Sequence, residues 1–303
     1  MSWTQTWIRH LHPWVLTIVC WCSIILVAFD VFAPERWKLG VAAHAPWITL
    51  ILLSLFVLAY LERERGHQHL LQAAQLGIKE IYRSRVDQDQ IREYEDLLGH
   101  AKQSLFIVGV TLKDLSREPG NHLLKRAADG CQIDLLMLSP QFKDNNNPVL
   151  DPVADSTGRD VLRNNFYSAI ASIRQLALAI RQQNQGLAGS RKGRLTVRFY
   201  TTAPTVSLTV RDGETAYARM HVEVIPHQIF ESPFRPIMNI EKTKDDGFFA
   251  EFYRRYRALW DASAAMTYIE VGHSGTMKIN SDMDSKLFEW LGLPIDWHGH
   301  SPR

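Results

Sequence analysis

Residues 105–139 read LFIVGVTLKDLSREPGNHLLKRAADGCQIDLLMLS, and their hydrophobic pattern decides the fold class. Leu105 to Val110 is a continuous apolar run of strand length, as expected where a strand is covered on both faces. A helical stretch follows around Asn121 to Asp129, and Gly130 ends it, since glycine readily takes the left-handed turn that closes a helix. Gln132 to Ser139, with Ile133, Leu135, Leu136, Met137 and Leu138, is a second buried strand. Strand, crossover helix and strand make a right-handed βαβ unit, so the chain is expected to hold an α/β domain.

Downstream, Phe142 to Thr157 is rich in Asp, Asn and Pro and reads as a loop. Gly158 to Gln185 is a long helix with Leu162, Phe166, Ala169, Ile173, Leu176 and Ile180 on one face, and Gly186 to Gly193 breaks it. Four strands are expected at Leu195 to Tyr200, Val206 to Val210, Tyr217 to Val224 and Ile237 to Ile240. They precede a helix from Asp246 to Ala264 that turns Phe252, Tyr256 and Leu259 inward and Arg254, Arg255 and Arg257 to water. The α/β domain is therefore placed at 103–262, with 263–303 as an extension packed on it. Upstream, Leu70, Leu71, Ala74, Ile78 and Ile81 recur at helical spacing. A second helix follows with Ile91, Tyr94, Leu97 and Leu98, capped by Asp87 or Asp89. Residues 62–102 thus read as a helical stalk. It is too short for a sustained coiled coil, and spacer and homo-oligomer contact both stay open.

The first 61 residues have another texture. Two apolar stretches, about 14–32 and 41–61, approach the roughly 20 residues that cross a ~30 Å hydrocarbon core, and Trp3, Trp7, Trp14, Trp37 and Trp47 flank them as interfacial aromatics do. The expectation is a two-helix transmembrane hairpin, with Ile51 and Leu53 in the stronger span. Asp30 sits near the far end of the first, as an interfacial residue or a pore contact. The heavier Lys/Arg flank after the second span favours a cytoplasmic N-terminus and main domain, with the lipid bilayer as a partner. Across all 303 residues, 34 Lys+Arg face 32 Asp+Glu, a formal charge of +2 that lacks the basic excess of a duplex-binding protein. Three cysteines, Cys20, Cys22 and Cys131, give no disulfide framework and no set of four zinc ligands.

The wording and order of Leu105–Val110, Leu123–Leu136, Leu195–Tyr200 and Val206–Gly213 resemble the single-lobe form of the phospholipase D superfamily. That resemblance implies a phospholipase D-like mixed sheet flanked by helices. It also implies a His-x-Lys-x-x-x-x-Asp motif, with a histidine to attack phosphorus, a lysine to hold the phosphoryl oxygens and an acid to orient the surroundings. The matching stretch here is Thr205-Val206-Ser207-Leu208-Thr209-Val210-Arg211-Asp212. Asp212 is retained, but Thr205 and Ser207 replace the histidine and lysine. Without a base neither hydroxyl is a nucleophile, and neither brings a positive charge to a phosphate. The lobe is expected to be catalytically inactive.

Other residues keep alternatives open. His221 and Glu223 alternate onto one strand face and His227 follows in a loop, so a general acid/base or metal site is geometrically feasible. Hydrogen-bonded histidines at a sheet edge explain the same residues. Arg198, Arg211, Arg219 and Arg235 lie on or beside the strands that line the site in the family, and would suit a phosphate-containing ligand or else be solvated edge charges. No nucleotide-binding glycine fingerprint is present, and neither cofactor nor metal is expected. A two-span hairpin ahead of such a lobe also resembles the membrane effectors of bacterial anti-phage defence operons of retron or cyclic-nucleotide type. The function expected is a membrane-anchored sensor or effector that responds to a ligand or protein partner and perturbs the membrane as a toxin. The alternatives are a membrane-tethered phosphodiesterase or lipid hydrolase, and a membrane-anchored scaffold.

Overall fold

The computed structural model describes residues 68, 71–83, 87–116, 118–140, 158–186, 192–203, 205–225, 235–243 and 247–293. The chain divides into two compact units, 1–72 and 73–303, and nearly all the described residues belong to the second. Its framework is a nine-stranded mixed sheet, in the order β1-β7-β6-β5-β2-β3-β4-β8-β9. The strands are β1 (Ile78–Tyr82), β2 (Ser104–Gly109), β3 (Gln132–Leu138), β4 (Arg194–Tyr200), β5 (Val206–Arg211), β6 (Arg219–Val224), β7 (Ile237–Glu241), β8 (Thr267–Val271) and β9 (Met277–Ile279). The helices of ten or more residues are α1 (Gln88–Gly99), α2 (Glu118–Ala128), α3 (Arg159–Gly186), α4 (Phe248–Ala262) and α5 (Ser281–Leu291).

The centre of the sheet is β2, β3 and β4, paired in parallel. Because crossover helices must return the chain to the same end of the sheet, both faces of these strands are covered, and their sequences run apolar without alternation. Leu105, Ile133, Leu135, Leu136, Leu195 and Val197 are all fully buried. The period of two sorts side chains cleanly. Ile107 shares a face with its partner Thr209, whose hydroxyl lies 3.4 Å from that of Tyr94 on α1. Phe106 faces the opposite way and meets Trp260 of α4 edge-on, ring centroids 5.7 Å apart. One face thus carries α1 and the other carries α4.

Two segments differ from the expected layout. The helical pattern read over 70–81 is helix only as far as residue 75; Gly77, at φ +86, turns the chain, and Ile78–Tyr82 forms β1 against β7. The branched and aromatic side chains of Ile78, Ile81 and Tyr82 suit a strand, and a free edge on β7 gives them hydrogen-bond partners that helical periodicity cannot foresee. Since α1, capped by the Asp87 side chain accepting from the Asp89 N–H at 3.0 Å, also packs on the sheet, residues 78–99 belong to the α/β domain and are no separate stalk. Likewise the expected extension at 263–303 contributes β8, paired antiparallel to β4, and β9. Part of the tail is sheet rather than a covering of it.

The expected spans, 14–32 and 41–61, with Asp30, Ile51 and Leu53, lie outside the described residues. Among the described residues no helix is long and apolar enough to cross a membrane. The longest, α3, has 28 residues but is amphipathic: Leu162, Phe166, Ile173 and Ile180 are buried while Arg159, Asp160, Arg163, Arg174 and Arg181 interrupt the apolar run. A transmembrane hairpin as part of the fold class, and a multi-pass inner-membrane location with a cytoplasmic main domain, are both corrected by this finding. The architecture observed is an α/β domain on a mixed sheet.

Candidate functional site

The carboxyl ends of parallel strands are where α/β sheets gather ligand-binding groups, and here β2, β3 and β4 end beside the start of β5 and the end of β6. Thr205 precedes β5 at this edge; it is exposed, and its hydroxyl lies 3.2 Å from that of Tyr256 on α4. Ser207 faces Glu223 across the β5–β6 pair. Beside it a Cβ on Gly109 would lie 2.6 Å from a methyl carbon of Leu112, so a side chain there would require the Leu112 side chain to shift. Leu112 itself holds φ +53, a conformation costly for a branched side chain. Thr205, Ser207 and Leu112 therefore share one edge, with two hydroxyl groups where the resemblance asks for an imidazole and an ammonium.

Asp212 lies at the other end of β5, buried and at φ +51, which aspartate tolerates better than most residues. Its carboxylate accepts the Lys102 N–H at 3.1 Å on each oxygen, the Gln103 N–H at 2.7 Å and the Ser104 N–H at 3.0 Å. It clamps the segment that enters β2. The Asp212 carboxylate is thus spent on backbone amides.

Between these ends, β5 and β6 lay a polar stripe on the α1 face: Ser207 opposite Glu223, Thr209 opposite His221, and Arg211 opposite Arg219. His221 is buried; Nδ1 lies 2.9 Å from Asn239 Oδ1 and Nε2 3.3 Å from the Gln90 side-chain nitrogen, with the Tyr94 ring 5.0 Å away. Those partners place the ring proton on Nδ1, donating to Asn239, while Nε2 accepts from Gln90. A histidine held on both nitrogens inside a helix–sheet interface positions structure. It offers no nitrogen to a substrate. Glu223 is buried with Arg235, guanidinium to carboxylate 3.4 Å, which the Val224 N–H to Pro236 carbonyl bond brings alongside. His227 lies outside the described residues.

The four arginines do not form one site. Arg219 pairs with Glu241 at 2.9 Å and Asp96 at 3.8 Å. Burial lowers the Arg211 guanidinium from its usual value, and neighbouring Arg219 lowers it further. Arg235 is taken up by Glu223. Arg198 is on the opposite face, since it aligns with Leu136 and not with the Ile107–Thr209 set. It donates to the Trp260 carbonyl at 2.8 Å and lies 4.2 Å from that ring's centroid. Among the described residues no three His, Cys, Asp or Glu side chains are placed to hold a metal ion.

Sequence reasoning missed Asp134, which stands near Arg198. It reads as one polar residue in an apolar strand, which was the available signal. It is 3% exposed, and one of its oxygens accepts from Gln132 at 2.8 Å and from Arg257 at 3.2 Å. Burial raises its pKa above the usual 3.8 despite those donors and the nearby charge of Arg194. Between 3.8 and the raised value the folded chain holds a proton that the unfolded chain has released, so stability falls as pH rises through that window. Urea melts of wild type and Asp134→Asn are expected to show the wild type losing ground to the variant over that range. Curves that stay parallel would mean that Arg257 fully offsets burial.

No family model matches the chain, and no curated protein does. Among solved structures it is similar to TrmBL2, described as an archaeal chromatin protein with a novel mode of DNA binding. That match has 10% identity, covers 79% of this chain and 80% of that one, and has a TM-score of 0.35. It is also similar to Nuc, a phospholipase D family member from Salmonella typhimurium, at 9% identity, covering 62% of this chain and 97% of that one, with a TM-score of 0.37.

Proposed function

We propose that this α/β lobe works by recognition, taking up a ligand or protein partner without cleaving phosphodiesters. The observation that carries the reading is the occupancy of the motif positions. Thr205 is bonded to another hydroxyl, Ser207 is uncharged, and Asp212 is committed to three amides of the main chain. Phosphoryl transfer needs a nucleophile activated by a base and positive charge where negative charge develops. Among the described residues this edge supplies neither, and His221 is held by Asn239 and Gln90. A sensor or effector, in anti-phage defence or elsewhere, falls within the reading.

Full-length protein incubated with bis(p-nitrophenyl) phosphate, a single-stranded oligonucleotide and phosphatidylcholine vesicles is expected to release no more product than buffer does. Thr205→Ala and Ser207→Ala should be indistinguishable from wild type. Turnover that disappears in Ser207→Ala or His221→Ala would show the lobe to be an enzyme.

A further inference from the structure

On the α4 face of β3 and β4, three arginines share one side of the sheet with a single buried carboxylate, Asp134. Arg194 and Arg198 lie on the same face of β4, four residues apart, with Thr196 between them in register with Asp134. Arg257 descends from α4 and pairs with Asp134. Arg198 and Arg257 flank one aromatic wall: their guanidinium carbons lie 4.2 and 5.8 Å from the Trp260 centroid, and Arg257 is 5.3 Å from that of Phe106. The cluster repels itself. Burial lowers the Arg198 guanidinium, Asp134 raises it, and Arg257 and Arg194 lower it further. Asp261 acts on Arg198 as well but is exposed, where solvent screens it. Glu270, opposite Thr196 on β8, is exposed too and faces Lys278 on β9.

Packing alone gives no reason to hold three like charges on one acid, since one well-placed arginine would satisfy Asp134. All three side chains keep some exposure while their stems are fixed by strand or helix. Three guanidiniums against one carboxylate leave two positive charges over. A phosphate monoester carries about −1.5 to −2 at neutral pH, which matches that excess better than the single charge of a diester. Planar guanidinium donors also suit its oxygens.

We propose that Arg194, Arg198 and Arg257 form a binding site for a phosphate monoester on the α4 face of the sheet, with Asp134 as the internal counter-charge that the ligand supersedes. The proposal rests on the reading of the lobe as a recognition module, and it uses a face that excludes Thr209, His221 and the rest of the β5–β6 polar stripe. Titration calorimetry of the full chain tests it with inorganic phosphate, a nucleoside monophosphate and a dinucleoside phosphodiester lacking terminal phosphate. Phosphate and the monophosphate are expected to bind and the diester to bind at least tenfold more weakly. Arg198→Gln and Arg257→Gln should each weaken binding by about tenfold or more. Asp134→Asn should tighten it several-fold, which no loss of folding can imitate. Absence of binding, equal affinity for the diester, or indifference to both arginine variants would overturn the site. Phosphodiester turnover with these affinities unchanged would instead sink the recognition reading and leave the site standing.

Discussion

Asp212→Ala is expected to cost the fold about 3–5 kcal/mol, the size seen when a buried charged acceptor is removed from several donors at once. The carboxylate takes N–H groups from Lys102, Gln103 and Ser104, at 2.7 to 3.1 Å. Alanine leaves all three without that acceptor and also places a residue that disfavours positive φ at a backbone angle of +51. Because the clamped segment leads into β2, at the centre of the sheet, the loss should appear as a lower urea midpoint with an unchanged slope. Asp212→Asn, which keeps one acceptor oxygen and tolerates the left-handed conformation, should lose less than half as much. Equal losses would mean that charge and not hydrogen-bond geometry holds the turn. A loss below about 1 kcal/mol for alanine would show that water satisfies the freed amides.

The second large effect concerns the ion pair beside Ser207. Glu223 and Arg235 expose only 4% and 6% of their side chains and stand 3.4 Å apart. Removing one partner takes a counter-charge from the other in a low-dielectric interior, whereas replacing both by apolar side chains removes their desolvation cost with the attraction. Arg235→Met is therefore expected to destabilise by about 3–5 kcal/mol, and Glu223→Leu by a similar amount. The double variant should lose much less than their sum. A double-mutant cycle in urea reads this coupling directly. Additive losses would contradict it and show the pair to be two independent structural contacts.

Much of the fold was legible in the chain. The βαβ unit, the long helix at Arg159–Gly186, the strands from Arg194 to Glu241 and the helix at Phe248–Ala262 all fall close to where apolar runs, periodicity and glycine breaks place them. These signals are local. The helix expected through Ile81 shows the limit, because Ile78 and Ile81 fit a helical stripe and an edge strand equally well until β7 is there to pair with them. The candidate site was legible by identity but not by arrangement. Thr205, Ser207 and Asp212 were picked out, but the role of Asp212 as a clamp on residues 102–104 depends on a segment far away in sequence. The arginines were gathered as one group, and the sheet divides them between its two faces.

By itself the amino-acid order determined that an α/β domain would form, where most of its elements begin and end, and that positions 205 and 207 carry hydroxyls. Burial periodicity, breaker residues and side-chain chemistry are properties of short stretches, so no neighbour in space is needed to read them. The tertiary structure alone decided that β1, β8 and β9 extend the central sheet, that His221 is locked between Asn239 and Gln90, and that Arg194, Arg198 and Arg257 share one face of the sheet with Asp134. Strand pairing and the choice of which helix covers which face are set by contacts between distant segments, and only the folded chain brings those charges within reach of one another.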